Sequence, residues 1–272
     1  MTDAFPPFSQ RTIMMNNTVI VVTGASSGIG AALAVQVARR GASVALVARR
    51  ADALDEVASQ CGSESMTIAA DMTDRLAVRE TVAQVIERFG RIDVWVNNVG
   101  QGITRVPSQL TDDDIDEMMR VNVKSALYGM QEVLPHFRSR DTGHIINVSS
   151  MLGRLPFAVV RSSYAAAKHF LNSLTATFRE EVQQTHPGIQ VSLVSPGVVR
   201  TDFGLNALHG GPDSRQTPDS QSADEVAGVI AQVIQSRSPD VYTRAGSRDR
   251  VARYMAQVGV DVEIIPPRPT PV

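Results

Sequence analysis

Val19-Ile20-Val21-Val22-Thr23-Gly24-Ala25-Ser26-Ser27-Gly28-Ile29-Gly30 decides the fold of this 272-residue chain. Its first four residues are continuous, apolar and β-branched, the pattern of a short strand buried on both faces. Glycines then recur at G-x-x-x-G-x-G spacing, and residues 31–40 read as a helix. A strand, a Gly-rich turn and a helix N-terminus form a phosphate cradle. The glycines allow close backbone approach, and free N–H groups and the helix dipole face the anion. The spacing differs from the G-x-G-x-x-G of the usual dinucleotide fingerprint.

Outward from this unit, strand-like and helical runs alternate, which predicts βαβ units and a parallel sheet. Further strands are expected at 43–48, 66–69, 93–96, 145–148, 190–194 and 241–243. A polar helix is expected at 52–60, and a stripe of Val78, Val82, Val85, Ile86 and Phe89 predicts another, stopped by Gly90. Thr111, followed by three aspartates, is an N-cap opening a helix that runs to 137. Helices are also expected at 164–184 and 224–236. No linker divides the chain, so one domain is expected over 16–262, between an N-terminal tail (1–15) and an extended Pro-rich tail (263–272). Residues 202–222, rich in Gly, Pro, Ser and Asp, are expected to be a structureless loop of the kind that forms lids.

Composition narrows the function. A formal charge of −2 without a basic run argues against a nucleic-acid surface. Cys61 is the single cysteine, so no intrachain disulfide can form. No apolar stretch reaches membrane-spanning length, and residues 1–10 lack the basic and apolar regions of a secretory signal. A cytoplasmic enzyme is expected, with Met14 and Met15 as alternative starts. His136, His144, His169, His186 and His209 show no metal-ligand spacing, and no metal site is expected.

Tyr164 and Lys168 stand four residues apart in a helical run, which puts phenol and ammonium on one face. A phenol of pKa about 10 is a poor acid or base at neutral pH. A cation beside it favours the phenolate and lowers that value.

Taken in order, the motifs Thr23–Gly30, Asp71, Asp93 with Asn97-Asn98-Val99-Gly100, Asn122, Ser149-Ser150, Tyr164-x-x-x-Lys168, and Pro196-Gly197 with Thr201 resemble the short-chain dehydrogenase/reductase family in its compact form. The resemblance spans residues 17–234. It implies a single-domain doubly wound (Rossmann) α/β fold, with a mostly parallel seven-stranded sheet and helices on both faces. It also implies hydride transfer between a nicotinamide cofactor and a carbonyl or secondary alcohol. Tyr164 matches the acid/base, and Lys168 the residue that tunes it and holds the nicotinamide ribose. Ser150 matches the hydroxyl that polarises the substrate oxygen, with Ser149 the runner-up. Ser150 lies fourteen residues before Tyr164, one more than usual, which implies an inserted residue between Arg154 and Ser163. Asn122 matches a helix-kinking residue whose main chain holds a proton-relay water.

On the cofactor, the resemblance assigns the phosphates to Gly24, Ser26, Ser27, Gly28, Ile29 and Gly30. Asp71 and Met72 fall to the adenine. Asn97 and Gly100 shape the floor of the adenosine half, beside Asn98, while Asp93 braces the sheet. Pro196, Gly197, Val199 and Thr201 fall to the nicotinamide end. The second strand ends in Ala48-Arg49-Arg50 where an acid would select NAD, so the guanidinium groups favour NADP(H), although Ser27 lacks the basic residue of some NADP-preferring relatives. Leu152, Leu155, Phe157, Phe203 and Leu205 are expected to line an apolar substrate pocket. Two other readings stand beside the carbonyl reductase or alcohol dehydrogenase: a ketoreductase of acyl-thioester (acyl-carrier-protein) metabolism, which would need a basic patch, and a non-catalytic NADP(H) sensor. A homodimer or homotetramer is implied, with no nucleic-acid or membrane partner.

Overall fold

The computed structural model describes residues 14–259. The expected Pro-rich tail and residues 1–13 of the expected N-terminal tail lie outside them. Met15, assigned above to that tail, is instead buried, and its N–H donates to Arg40 O at 2.6 Å.

Seven strands, β1 (Val19–Thr23), β2 (Ser43–Ala48), β3 (Ser65–Ala69), β4 (Val94–Asn97), β5 (Gly143–Val148), β6 (Ile189–Ser195) and β7 (Asp240–Tyr242), form one sheet in the order β3-β2-β1-β4-β5-β6-β7. Every neighbouring pair is parallel. The helices are α1 (Gly28–Ala38), α2 (Ala51–Ala58), α3 (Arg75–Phe89), α4 (Asp112–Met119), α5 (Ser125–Arg140), α6 (Ser162–Thr185), α7 (Ala223–Ser236) and α8 (Ser247–Met255). On one face, Leu33 and Val37 of α1, Leu54 of α2 and Ile230 of α7 pack on Ile20, Val22 and Leu46. On the other, Val82 of α3, Phe137 of α5 and Val182 of α6 pack against Val21, Ala45 and Ile145. Both faces are covered, which is why the inner strands read as apolar runs rather than as alternations. This is the doubly wound α/β fold.

Strand order grows outward from β1 to β3 on one side and from β4 to β7 on the other. The winding therefore reverses between β1 and β4, and a crevice opens beyond their C-terminal ends. The two ends are tied together there. Thr23 Oγ1 donates to Val96 O and accepts from the Asn98 N–H, both at 3.0 Å.

Three segments differ from expectation. The helix opened by Thr111 is interrupted by a π turn over Arg120–Lys124. Asn122 lies within it, and its side-chain amide donates to Met118 O (3.2 Å), taking a carbonyl of the preceding turn away from the regular ladder. Residues 202–222 contain a short 3-10 turn, Ser214–Gln216, and α8 follows where no helix was expected.

Candidate active site

The phosphate cradle has the geometry its glycines require. Gly24 (φ +66°) and Gly28 (φ +57°) occupy the left-handed region, and a Cβ at Gly30 would stand 2.3 Å from Gly24 O. α1 therefore starts directly beneath the turn. Its N-cap Ser27 makes no side-chain capping bond and its first turn carries no acid, whereas Asp74, Thr111 and Ser222 cap α3, α4 and α7. The unpaired N–H groups at this end fit an anion. Asn98 Nδ2 fastens the loop by donating to Thr23 O (3.1 Å) and Gly24 O (3.3 Å).

The cradle is one wall of a cleft of about 1110 Å³ that the loops after β1 to β6 enclose. Ser150, Tyr164 and Lys168 line the same cleft. β5 ends at Val148, which delivers Ser149 and Ser150 to the first turns of α6. Tyr164 and Lys168 are both buried (7 % and 3 % exposed). The Ser150 hydroxyl stands on the phenol's side, where it favours the ionised form of Tyr164, and it accepts from the Leu152 N–H at 3.1 Å. Ser149 bonds away from the phenol, to Asn172 Oδ1 at 2.5 Å. Of the two serines, Ser150 is the one beside Tyr164.

Electrostatics depart from the spacing argument. Burial pushes the Tyr164 phenol up to about 12, and the groups that pull the other way are Ser150 and Arg161. Lys168 does not lower it: Nζ donates to Val148 O at 3.1 Å and lies 5.8 Å from the centre of the Tyr164 ring. The lysine is itself pushed down to about 8 by burial. Both groups are desolvated, and desolvation disfavours the charged form of each.

Asn122 is fully buried behind the cleft. Its Oδ1 accepts from the Gln101 N–H (3.2 Å) and its Nδ2 donates to Gln101 O (2.9 Å), so it holds the chain after β4 against the π turn. A Cβ at Gly100 would stand 3.1 Å from Asn122 Oδ1 and 3.5 Å from Lys168 Nζ. Gly100 thus lines the cleft beside the lysine. Asn97 lies outside the cleft lining. It is buried, accepting from Trp95 Nε1 (2.7 Å) and donating to Asn147 Oδ1 (2.8 Å). Asp93 braces the far end of the sheet, where it accepts from the Val19 N–H, Arg91 and Arg140.

Arg49 and Arg50 are exposed at the end of β2, and Arg50 Nη2 reaches Ser26 Oγ at 3.4 Å. Asp71 accepts from the N–H and hydroxyl of Thr73 (2.9 and 2.8 Å) and lies 4.0 Å from Arg120, a cleft residue that the sequence did not single out. Burial opposes the Asp71 charge, but the Thr73 bonds, Arg49 and Arg120 hold its carboxyl below the usual range. Met72, Pro196, Gly197, Val199 and Thr201 also line the cleft, the Thr201 methyl lying 3.2 Å from where a Gly28 Cβ would stand.

At the substrate end, Leu152, Leu155, Phe157 and Phe203 line the cleft as expected, and Phe203 meets Tyr164 edge-on at 5.5 Å. Leu205 is outside the lining and 45 % exposed. The 202–222 loop is fastened to the chain after β4. Leu208 N–H donates to Gly102 O (2.8 Å), Thr104 N–H donates to Leu208 O (2.9 Å), and His209 pairs with Asp114 at 2.6 Å. Sequence reading also missed Arg161, which lines the cleft near Tyr164 and carries no local motif.

Known proteins place this geometry in context. The short chain dehydrogenase family matches residues 18–209. An uncharacterized oxidoreductase of Staphylococcus epidermidis is 37% identical over 195 residues, 68% of this chain and 82% of its own. Among solved structures, a short chain dehydrogenase from Burkholderia cenocepacia in complex with NADP is 30% identical with a TM-score of 0.75, covering 86% of this chain and 99% of that one. A 3-ketoacyl-(acyl-carrier-protein) reductase from Brucella melitensis, complexed with NADH, is 25% identical with a TM-score of 0.75 over 84% of this chain and 98% of its own. The chain is an oxidoreductase of the short-chain dehydrogenase family.

Proposed function

We propose that the protein transfers a hydride between NADP(H) and a carbonyl or secondary-alcohol carbon, with Tyr164 as the acid/base. The observation that carries this is the meeting of Ser150 and Lys168 with one buried phenol in a cleft whose other wall is an uncapped, acid-free helix N-terminus. When bound, the nicotinamide supplies or accepts the hydride. The phenol, protonated at neutral pH, gives its proton to the carbonyl oxygen in reduction. The Ser150 hydroxyl donates to the same oxygen as negative charge builds there. Lys168 is placed to hold the nicotinamide ribose hydroxyls and to balance the phenolate that the proton transfer leaves. Asn122 acts through Gln101 and the π turn, fixing the backbone beside Lys168.

The cradle residues Gly24 and Ser26 to Gly30 hold the pyrophosphate in this reading. Arg49 and Arg50 hold the 2′-phosphate, and Asp71 and Met72 the adenine. Asn98 and Gly100 shape the wall after β4, and Pro196, Gly197, Val199 and Thr201 the nicotinamide end. NADP(H) over NAD(H) rests on two exposed arginines standing where an acid would serve the 2′-OH. The Burkholderia relative was solved with NADP and the Brucella one with NADH, so the preference rests on this chain's own residues.

A second reading, reduction of an acyl-thioester ketone, is favoured by one observation. Arg244, Arg248, Arg250 and Arg253 are exposed within ten residues of each other, and two of them line the cleft. Comparing a β-keto thioester with its free ketone as substrates separates the two readings.

The central test is Tyr164→Phe, which removes the proton and leaves the ring. Turnover on a panel of ketones should be lost while NADPH still binds. Activity within tenfold of the parent would refute the assignment.

A further inference from the structure

Arg161 precedes α6 by one residue, and its guanidinium is housed between two loops. A Cβ at Gly102 would stand 2.8 Å from Nη1 and 3.0 Å from the Phe203 ring. A Cβ at Gly211 would stand 3.0 Å from Nη2. Both loops therefore carry glycine where the fork passes. One donor is used internally, Nη1 to Ile103 O at 2.9 Å.

No carboxylate answers this charge. Among the described residues no acidic side chain lies within ion-pair distance of Arg161. The neighbouring arginines do have partners: Arg105 pairs with Asp114, Arg154 with Asp240, and Arg215 with Asp202 and Asp213. Arg161 is half-buried, and burial pushes its guanidinium down, Tyr164 acting in the opposite direction. A partly desolvated cation without a counter-ion is costly, and in a cleft beside a reacting group such a cost is commonly offset by a ligand. A guanidinium fork matches the two oxygens of a carboxylate, as it does those of a phosphate, with parallel hydrogen bonds.

We propose that the substrate carries a carboxylate that Arg161 binds, so that the reaction is the interconversion of an oxo acid and a hydroxy acid. The apolar spacer between the two groups would pass the Phe203 ring, with the carbonyl oxygen at Ser150 and Tyr164 and the carboxylate at the free edge of the fork. This rests on the proposed carbonyl reduction and narrows its substrate. Hydride and proton balance as in that reaction: the carbonyl carbon gains the hydride of NADPH, its oxygen gains the Tyr164 proton, and the carboxylate is unchanged. Arg244 and Arg250 are weaker candidates for this role. Both are exposed, Arg244 donates to Asp219 O, and Arg250 lies over the Phe157 ring at 5.3 Å.

The test pairs straight-chain oxo acids, with the carbonyl two to five carbons along, against their methyl esters, using NADPH with the parent and with Arg161→Gln. Glutamine removes the charge and the Nη1 contact to Ile103 O together, and Arg161→Lys, which keeps the charge without the fork, separates the two effects. At least one acid should exceed its ester about tenfold or more in kcat/KM, through KM, since the carboxylate is remote from the reacting carbon. Arg161→Gln should erase that gap, the acid losing about tenfold or more in kcat/KM beyond whatever the ester loses, and Arg161→Lys should restore part of it. Esters reduced as well as acids, or a gap that survives Arg161→Gln, would overturn the inference and leave carbonyl reduction standing. No turnover of any acid or ester would overturn both.

Discussion

The protonation state of Tyr164 gives the sharpest quantitative expectation. Burial raises the phenol from 10.0 to about 12, so the folded protein binds this proton more tightly than the unfolded chain does. Two units correspond to roughly 3 kcal/mol in favour of the neutral phenol. At pH 7 roughly one phenol in 10⁵ would be ionised, and at pH 9 roughly one in 10³. The proton donor for reduction is thus present throughout the neutral range, while the base for oxidation is scarce. The chain has four tyrosines, so the tyrosinate absorbance of the parent minus that of Tyr164→Phe isolates one phenol. That difference should stay flat up to about pH 10 in the protein without cofactor. Initial rates of reduction should be level between about pH 6 and 7.5, and oxidation should climb about tenfold per pH unit over the same span. The sign follows from desolvation: the neutral form is held, so stability falls as pH rises above 10, where the unfolded phenol ionises first. A Tyr164 titration with its midpoint below 10 would refute the reasoning, because some group would then outweigh burial.

Cofactor preference should follow the end of β2. NADPH should bind about tenfold or more tighter than NADH, Arg49→Ala should close most of that gap by weakening NADPH, and Ala48→Asp with Arg49→Ala should invert it, all read by fluorescence titration. Equal binding of the two cofactors by the parent would refute this. Gly100→Ala would place a methyl 3.1 Å from Asn122 Oδ1 and 3.5 Å from Lys168 Nζ, so kcat should fall about tenfold or more with little change in melting temperature. In solution the chain should be a dimer or tetramer through α5 and α6, where Phe170 is 49 % exposed. A monomer by light scattering at micromolar concentration would count against that.

What could be read from the sequence was what local pattern encodes. The Val19–Gly30 stretch announces its strand, turn and helix because burial on two faces forces an apolar run and the turn forces glycine. Ser150 and Tyr164 could be paired only through the order of motifs that the family resemblance supplies, since nothing local in the sequence ties the end of β5 to the start of α6. What could not be read depends on partners distant in sequence. The π turn leaves the apolar spacing of its helix almost unchanged, and the Asn122 side chain that takes Met118 O from the ladder is itself held by Gln101, twenty-one residues away. Asn97 and Asn98 are adjacent yet separate completely. Asn97, the last residue of β4, turns into the core, while Asn98 turns to the glycine loop. Four-residue spacing correctly made Tyr164 and Lys168 neighbours, but spacing carries no information on desolvation, which sets the sign of the phenol shift.

The same distinction between average and place applies to charge. A net charge of −2 argued against a polyanionic partner, and it describes the outer surface. Within the cleft the balance reverses: seven cationic side chains line it against three acidic ones. Low-dielectric walls concentrate the field of such a lining, so the cleft attracts anions although the molecule as a whole is weakly acidic. The cations are also spread along it rather than gathered at the cradle. Arg49 and Arg50 stand at the nucleotide end, Lys168 at the centre, and Arg161 beyond the phenol. A dinucleotide phosphate accounts for the first group and the ribose with its phenolate neighbour for the second. Of the remaining cations, Arg120 pairs with Glu117, and Arg244 and Arg250 are exposed to solvent. Arg161 is the half-buried one without a carboxylate partner among the described residues, which is why the charge distribution favours the anionic substrate proposed above.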